Sequence, residues 1–150
     1  MLVVIAEKEE LKLVEELGYG DYPLIITGVG GLNVIRALKD LPKDKEILNI
    51  GYCGSKYFEK GKRLSINRVG TYHEKAKFNE ELLECDIEIP FDEDDEAICY
   101  TSTDFVTKTK KKDNCVFDME LLFIRLMFPN VKAIKVVSDS LNYKEYKNRQ

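Results

Sequence analysis

Six short β-branched or apolar runs punctuate this chain: LVVIA (2–6), PLIIT (23–27), EILNI (46–50), RLSINRV (63–69), AICYT (97–101) and AIKVV (133–137). Bounded by Gly, Pro and charged residues, each reads as a strand. Between several of them the apolar residues switch to helical spacing, at about 8–17, 31–40 and 116–128. Parallel strands need crossover connections, so this alternation predicts an α/β fold with a mainly parallel sheet. Ligands of such sheets sit beyond the carboxyl ends of the strands, and that is where the chemistry should be sought.

The chain has 150 residues, 44% of them hydrophobic, enough for one core of ordinary size and short for two. A single domain over 1–150 is expected. The net charge is −4 and the sequence pI about 5.2, which argues against nucleic-acid backbones and anionic membranes as partners and favours a small solute. Cys53, Cys85, Cys99 and Cys115 show no CxxC spacing, and His73 is the only histidine. That is a poor metal set, so neither a metal nor a cofactor is expected, and reduced thiols suit a cytoplasmic protein. Met1 leads into a five-residue apolar stretch followed by charges, and no run approaches the ~18 residues of a membrane span. The charge runs PFDEDDEA (90–97) and KTKKKD (108–113) read as solvated loops.

The run CVFDMELLFIRLMF (115–128) is among the most apolar of the chain, yet it contains Glu120. Drawn as a helix at about 100° per residue, it brings Asp118 and Arg125 within about 20° of each other as a solvent edge. Glu120 then faces the other way, among Val116, Phe123, Ile124 and Met127. A buried carboxylate is costly unless hydrogen-bonded or neutralised. Glu120 is therefore either a structural acid with a hidden partner, such as Lys135, or a site residue.

Four strands run into unusual chemistry. LVVIA meets Glu7, Lys8, Glu9 and Glu10, acids that a helix start favours in any case. PLIIT meets GVGG (28–31), where Thr27 and the N–H groups from Gly28 onward can cradle an anion or a hydroxyl. Asn33 stands where a dinucleotide fingerprint needs its third glycine. EILNI meets a second glycine-rich turn, GYCGS (51–55). AIKVV meets Ser138 and Asp139, a candidate proton donor or a helix cap. Two glycine turns and several carboxylates at one sheet edge outline a pocket.

The ordered motifs AEKEE, TGVGG, LNIGYCGS, NRVGTYHE, TSTDFV, FDMELL and KVVSDS resemble the nucleoside phosphorylase and nucleosidase superfamily, and within it the 5′-methylthioadenosine/S-adenosylhomocysteine nucleosidases. The resemblance runs from residue 1 to about 142. It implies a minimal version of that fold, a three-layer α/β/α arrangement around a central mixed, mainly parallel twisted sheet. It also implies hydrolysis of the N-glycosidic bond of an adenosine-type nucleoside. Asp139 then matches the general acid at purine N7, Glu120 the clamp on the ribose hydroxyls, and Glu10 the acid that orients water. Thr27, with Gly28 beside it, takes the place of a Ser lining the water or phosphate site. Phe105 matches the aromatic on the base, Val106 the backbone contact to it, Met119 the neighbour of the ribose acid, and Ser138 the companion of Asp139. Tyr72 and His73 match a Tyr–His pair near the sugar. A homodimer whose partner caps the 5′ end is also implied, and RLMF (125–128), Tyr52 and Tyr57 are candidates for its surface.

Departures from the pattern are specific. Lys135 replaces an Arg, keeping the charge and losing the planar fork, and STD (102–104) replaces SGD. The segment between Glu10 and Thr27 has no room for the usual strand pair. Where phosphorylases of the superfamily bind phosphate, this chain has AEKEEL and EILNI. Acids repel phosphate and suit water, which favours hydrolysis over the alternative, a purine nucleoside phosphorylase. The other alternative is a catalytically reduced nucleoside-binding protein.

Overall fold

The computed structural model describes residues 1–72, 81–86, 95–109 and 114–148. His73 and most of the two charge runs lie outside them. The elements in order are β1 (Leu2–Ile5), a 3₁₀ turn (Lys8–Glu10), α1 (Leu11–Glu16), β2 (Leu24–Ile26), α2 (Gly31–Leu38), β3 (Ile47–Gly54) and β4 (Arg63–Thr71). There follow β5 (Leu83–Glu84), β6 (Glu96–Thr101), β7 (Cys115–Asp118), α3 (Leu121–Met127), β8 (Val131–Asp139) and α4 (Tyr143–Lys147).

The sheet is mixed, and its pairing explains where a pocket forms. β1 pairs in parallel with β2 and β3, and β3 in parallel with β8 from Ile47↔Val131 to Gly54↔Asp139. β8 pairs antiparallel with β4, β4 in parallel with β6, and β6 in parallel with β7. β7 then returns antiparallel to β3 through Gly54↔Phe117. Five strands thus close a ring, with β1 and β2 extending from β3 and β5 lying on β4. Strands β1, β2, β3 and β8 run one way, and β4, β6 and β7 the other. Because β3 and β7 touch where both end, two opposed sets of strands bring their carboxyl ends to one place.

The alternation of side chains builds a core on each face. On β8, Val131, Ala133 and Val137 join Leu64, Ile66, Val116, Leu121, Ile124 and Phe128 in one cluster. Ile134 and Val136 join Val3, Ile5, Leu13, Leu48 and Ile50 in another. A strand buried on both faces reads as a continuous apolar run, and burying each large side chain stabilises the fold by about 1.5–3 kcal/mol. Lys135 lies on the first of these faces, in the interior.

The structure revises three sequence expectations. The run 116–128 is not one helix: Cys115–Asp118 is strand β7, paired with β6 from Ile98↔Cys115 to Thr101↔Asp118, and the helix starts only at Leu121. Asp118 is consequently buried rather than at a solvent edge. GYCGS is not a turn either, since β3 continues to Gly54. Its glycines answer to space: a Cβ at Gly51 would meet Glu10 Oε2 at 2.7 Å and Lys135 Nζ at 3.2 Å, and one at Gly54 would meet Asp139 Oδ1 at 2.6 Å. The structure also adds the short strand β5 and the helix α4, and gives shorter bounds for the first two helices.

Candidate active site

A cleft lies where the carboxyl ends converge. Glu10, Glu120 and Asp139 all line it, together with Phe105, Val106, Met119 and Ser138. Thr27 and Gly28 do not; the neighbouring Val29 does. The Thr27 hydroxyl donates to the Gly28 carbonyl at 2.7 Å, and the N–H groups of Thr27 and Gly28 donate to Ile5 and Ala6. These groups are used up extending the β1–β2 pairing, so the expected cradle is occupied by the protein's own backbone. One further N–H of the glycine turn, that of Gly30, donates to Glu120 Oε2 at 2.8 Å.

Glu10 is held by its own turn. Its Oε1 accepts from the Ala6 and Glu7 N–H groups at 2.9 and 3.0 Å, and its Oε2 from Tyr52 N–H at 2.8 Å. Burial nonetheless raises its pKa, against the pull of Lys135 and these backbone donors. Glu10 lines the cleft, and a carboxylate with raised proton affinity is a better base than an exposed one.

Asp139 ends β8. Its Oδ2 accepts from the Ser138 hydroxyl at 2.9 Å and its Oδ1 from Leu141 N–H at 2.9 Å. Leu141 has φ 68°, a left-handed conformation that leucine rarely adopts. The turn aims the Leu141 N–H back at Asp139, and such local strain is characteristic of sites that over-determine one side chain. Burial raises the Asp139 pKa, and the two neutral donors only partly oppose it. An acid that holds its proton above the usual carboxylate range is suited to give it to a basic nitrogen.

The corner between β7 and α3 carries the strongest electrostatics. Asp118 Oδ1 accepts from the Thr101 hydroxyl at 2.6 Å, and Oδ2 from Leu121 N–H at 2.8 Å and from the Lys135 ammonium at 3.0 Å. Both members of this ion pair are sequestered, at 7% and 1% exposure. Burial works against the charge of each, yet Asp118 ends below its ordinary value because Lys135, Thr101 and Leu121 outweigh it. The Lys135 pKa rises, the surrounding acids overcoming the penalty of burial. Glu120, the residue before α3, is 9% exposed and accepts the Gly30 N–H. Burial first, then the nearby Asp118, push its pKa up to about 8.

Phe105 lies half-buried in the wall, with the Tyr143 ring of α4 edge-on to it at 5.6 Å between centroids. Among the described residues no group of His, Cys, Asp and Glu is arranged to hold a metal ion. Sequence reasoning missed Asp118, Asp104, Cys53 and Leu141 as parts of this cleft. The signal that could have found the buried acids is the pair of glycines inside a strand, which marks a close approach by something else.

Comparison with solved structures places the architecture. The 5′-methylthioadenosine/S-adenosylhomocysteine nucleosidase of Chlamydia trachomatis superposes with a TM-score of 0.78 at 18% identity, over 98% of this chain and 87% of that one. That enzyme has also been solved with methylthioadenosine and with adenine bound. The chain has the nucleosidase fold. The corresponding Helicobacter pylori nucleosidase, with methylthioadenosine in its active site, gives 0.70 at 12% identity over 97% of this chain and 87% of that one. A futalosine hydrolase from H. pylori gives 0.69 at 11% over 97% and 88%. No protein-family model and no curated protein matches the sequence itself. At identities of 11–18% these likenesses establish the architecture alone.

Proposed function

We propose that this chain is a purine nucleosidase-like hydrolase that cleaves the N-glycosidic bond of an adenosine-type nucleoside of the methylthioadenosine/S-adenosylhomocysteine class. The observation that carries the reading is the convergence of Glu10, Glu120 and Asp139 on one cleft beside Phe105 and Met119. The nucleosidase fold supports it. On this reading a single domain with helices on both sides of its sheet, a three-layer arrangement, presents the cleft. A homodimer partner caps the 5′ end of the substrate, with exposed Leu126 and Tyr57 as candidate contacts.

Breaking the bond between C1′ and the base puts positive charge on the sugar and negative charge on the leaving purine. Asp139 gives its proton to N7, so that the electron pair of the broken bond leaves on a neutral base. Glu120 faces the ribose hydroxyls, and its carboxylate form offsets charge on the ring. Water held by Glu10 adds to C1′, and its proton passes to that carboxylate. Preorganised groups of this kind act where charge develops, in a site with little water to screen them. Two carboxyl groups, Glu7 and Glu10, line the water side and disfavour a phosphate nucleophile.

The test is incubation with methylthioadenosine, adenosine and inosine, with and without phosphate, followed by chromatography of the free base. Adenine from methylthioadenosine without phosphate is the expected result. Release that requires phosphate converts the reading to a phosphorylase. Binding of nucleoside with no release from any substrate leaves the nucleoside-binding protein.

A further inference from the structure

Four ionisable groups from three parts of the chain are buried together: Glu10 after β1, Asp118 and Glu120 around the end of β7, and Lys135 on β8. One cation faces three acids, so the protons must be allotted. Asp118 takes the ammonium at 3.0 Å and adds the Thr101 hydroxyl and Leu121 N–H. Glu10 takes three backbone N–H groups. Glu120 takes one, from Gly30. A buried carboxylate with one neutral donor and an ionised neighbour two residues away is the poorest place in the cluster for a negative charge.

We propose that Asp118 is a positioning residue of the cleft: by holding the Lys135 ammonium to itself it denies Glu120 a counter-ion, so that Glu120 carries a proton in the empty cleft at neutral pH. The ladder fixes the arrangement. Lys135 is paired in register with Gly51, and the missing side chain there leaves room for the ammonium beside Glu10. Asp118 reaches it from β7 across the ring. The groups facing Glu120 are Asp118 from β7, Lys135 from β8 and Glu10 from the turn after β1. Of these charged groups only Lys135 favours ionisation, beside the single Gly30 N–H, and its ammonium sits on Asp118 at 3.0 Å. The direction of the Glu120 shift agrees with this count. The proton count stands on geometry; its consequence for turnover rests on the nucleosidase reading.

The experiment is a carbon NMR titration of the ligand-free protein with isotopically labelled glutamate carboxyls, the Glu120 signal being identified by its loss in Glu120→Gln. The native midpoint is expected well above the ordinary glutamate range. In Asp118→Asn it should fall by at least one pH unit, a tenfold change in proton affinity, while Asp118→Glu, which keeps the charge, should hold it near the native value. A native Glu120 that titrates in the ordinary range overturns the proposal without any variant, as does an unmoved midpoint in folded Asp118→Asn. The pH profile of base release from methylthioadenosine should shift in parallel with the NMR midpoint. No release by the native protein would sink the nucleosidase reading and leave the NMR result standing.

Discussion

At the end of β8, Asp139 is surrounded by neutral donors and one strained turn; at the corner after β7, two acids two residues apart compete for one lysine. Both regions are buried and both line the same cleft. The end of β8 raises proton affinity chiefly by burial, which the Ser138 and Leu141 donors and the more distant Lys60 only partly offset while Glu145 adds to it. The corner spends its single cation on Asp118 and raises Glu120 by what is left over. Burial therefore does not by itself decide whether an acid keeps its proton; the allocation of donors does.

The largest effect should come from the β8 end. Asp139→Asn can keep the Leu141 N–H bond on its amide oxygen, gives up the acceptor for the Ser138 hydroxyl and removes the acidic proton, so base release should fall by about 10²- to 10⁴-fold with little change in nucleoside affinity. Single-turnover kinetics and equilibrium binding separate the two quantities. Unchanged release would take Asp139 out of the donor role and leave the acids at the corner after β7 to supply the proton.

At the corner the large effect is on stability. Lys135→Met strips the cation from a buried carboxylate, and breaking such a pair costs about 3–5 kcal/mol. Urea unfolding should register this loss, and the double variant Asp118→Asn with Lys135→Met should recover most of it. Failure of the double variant to recover would mean that Lys135 is held chiefly by the other acids.

These predictions depend on residues that the sequence disclosed unequally. Glu10, Asp139 and the six strand runs were readable because period and strand-end position are local properties. Asp118 was misplaced because the run from Cys115 to Phe128 is apolar nearly throughout, and an apolar run does not reveal its own period. Drawn as a helix it exposes Asp118; paired with β6 it buries Asp118 against Lys135. The closure of the ring was equally hidden, since it depends on β4 meeting β8 about seventy residues later. Gly51 and Gly54 were legible as glycines, but their reason lies in Glu10, Lys135 and Asp139, which arrive from elsewhere.

A smaller effect distinguishes the two regions by pH. Glu120 is raised from 4.5 to about 8 in the fold. The folded state therefore binds its proton more tightly, the associated stability is complete below about pH 4.5, and it is lost as pH rises toward 8. Asp139, also raised, acts in the same sense; Asp118, lowered, acts in the opposite one and loses its contribution on acidification. Stability should decline between pH 5 and 8 by up to roughly 1.4 kcal/mol per pH unit for one such group. Glu120→Gln should flatten that decline, read as melting temperatures across the range. A decline that persists unchanged would assign it to Asp139 or Glu10.

The smallest predicted effect tests how α4 serves the β8 end. Tyr143 meets Phe105 edge-on, and such a pair contributes about 0.5–1.5 kcal/mol beyond area burial. Tyr143→Leu keeps an apolar contact but loses the ring geometry, so the KM for methylthioadenosine should rise about two- to tenfold with kcat unchanged. That outcome follows if α4 acts only on the wall where the base is proposed to lie. The same helix, however, is joined to Asp139 through Leu141 and is capped by the Asn142 side chain, which accepts from the Lys144 and Glu145 N–H groups. If Tyr143→Leu lowers kcat and spares KM, the helix is instead fixing the strained turn that aims Leu141 N–H at Asp139. Proton delivery at the end of β8 would then depend on a surface helix, whereas the acids at the corner after β7 depend on a lysine buried in the sheet.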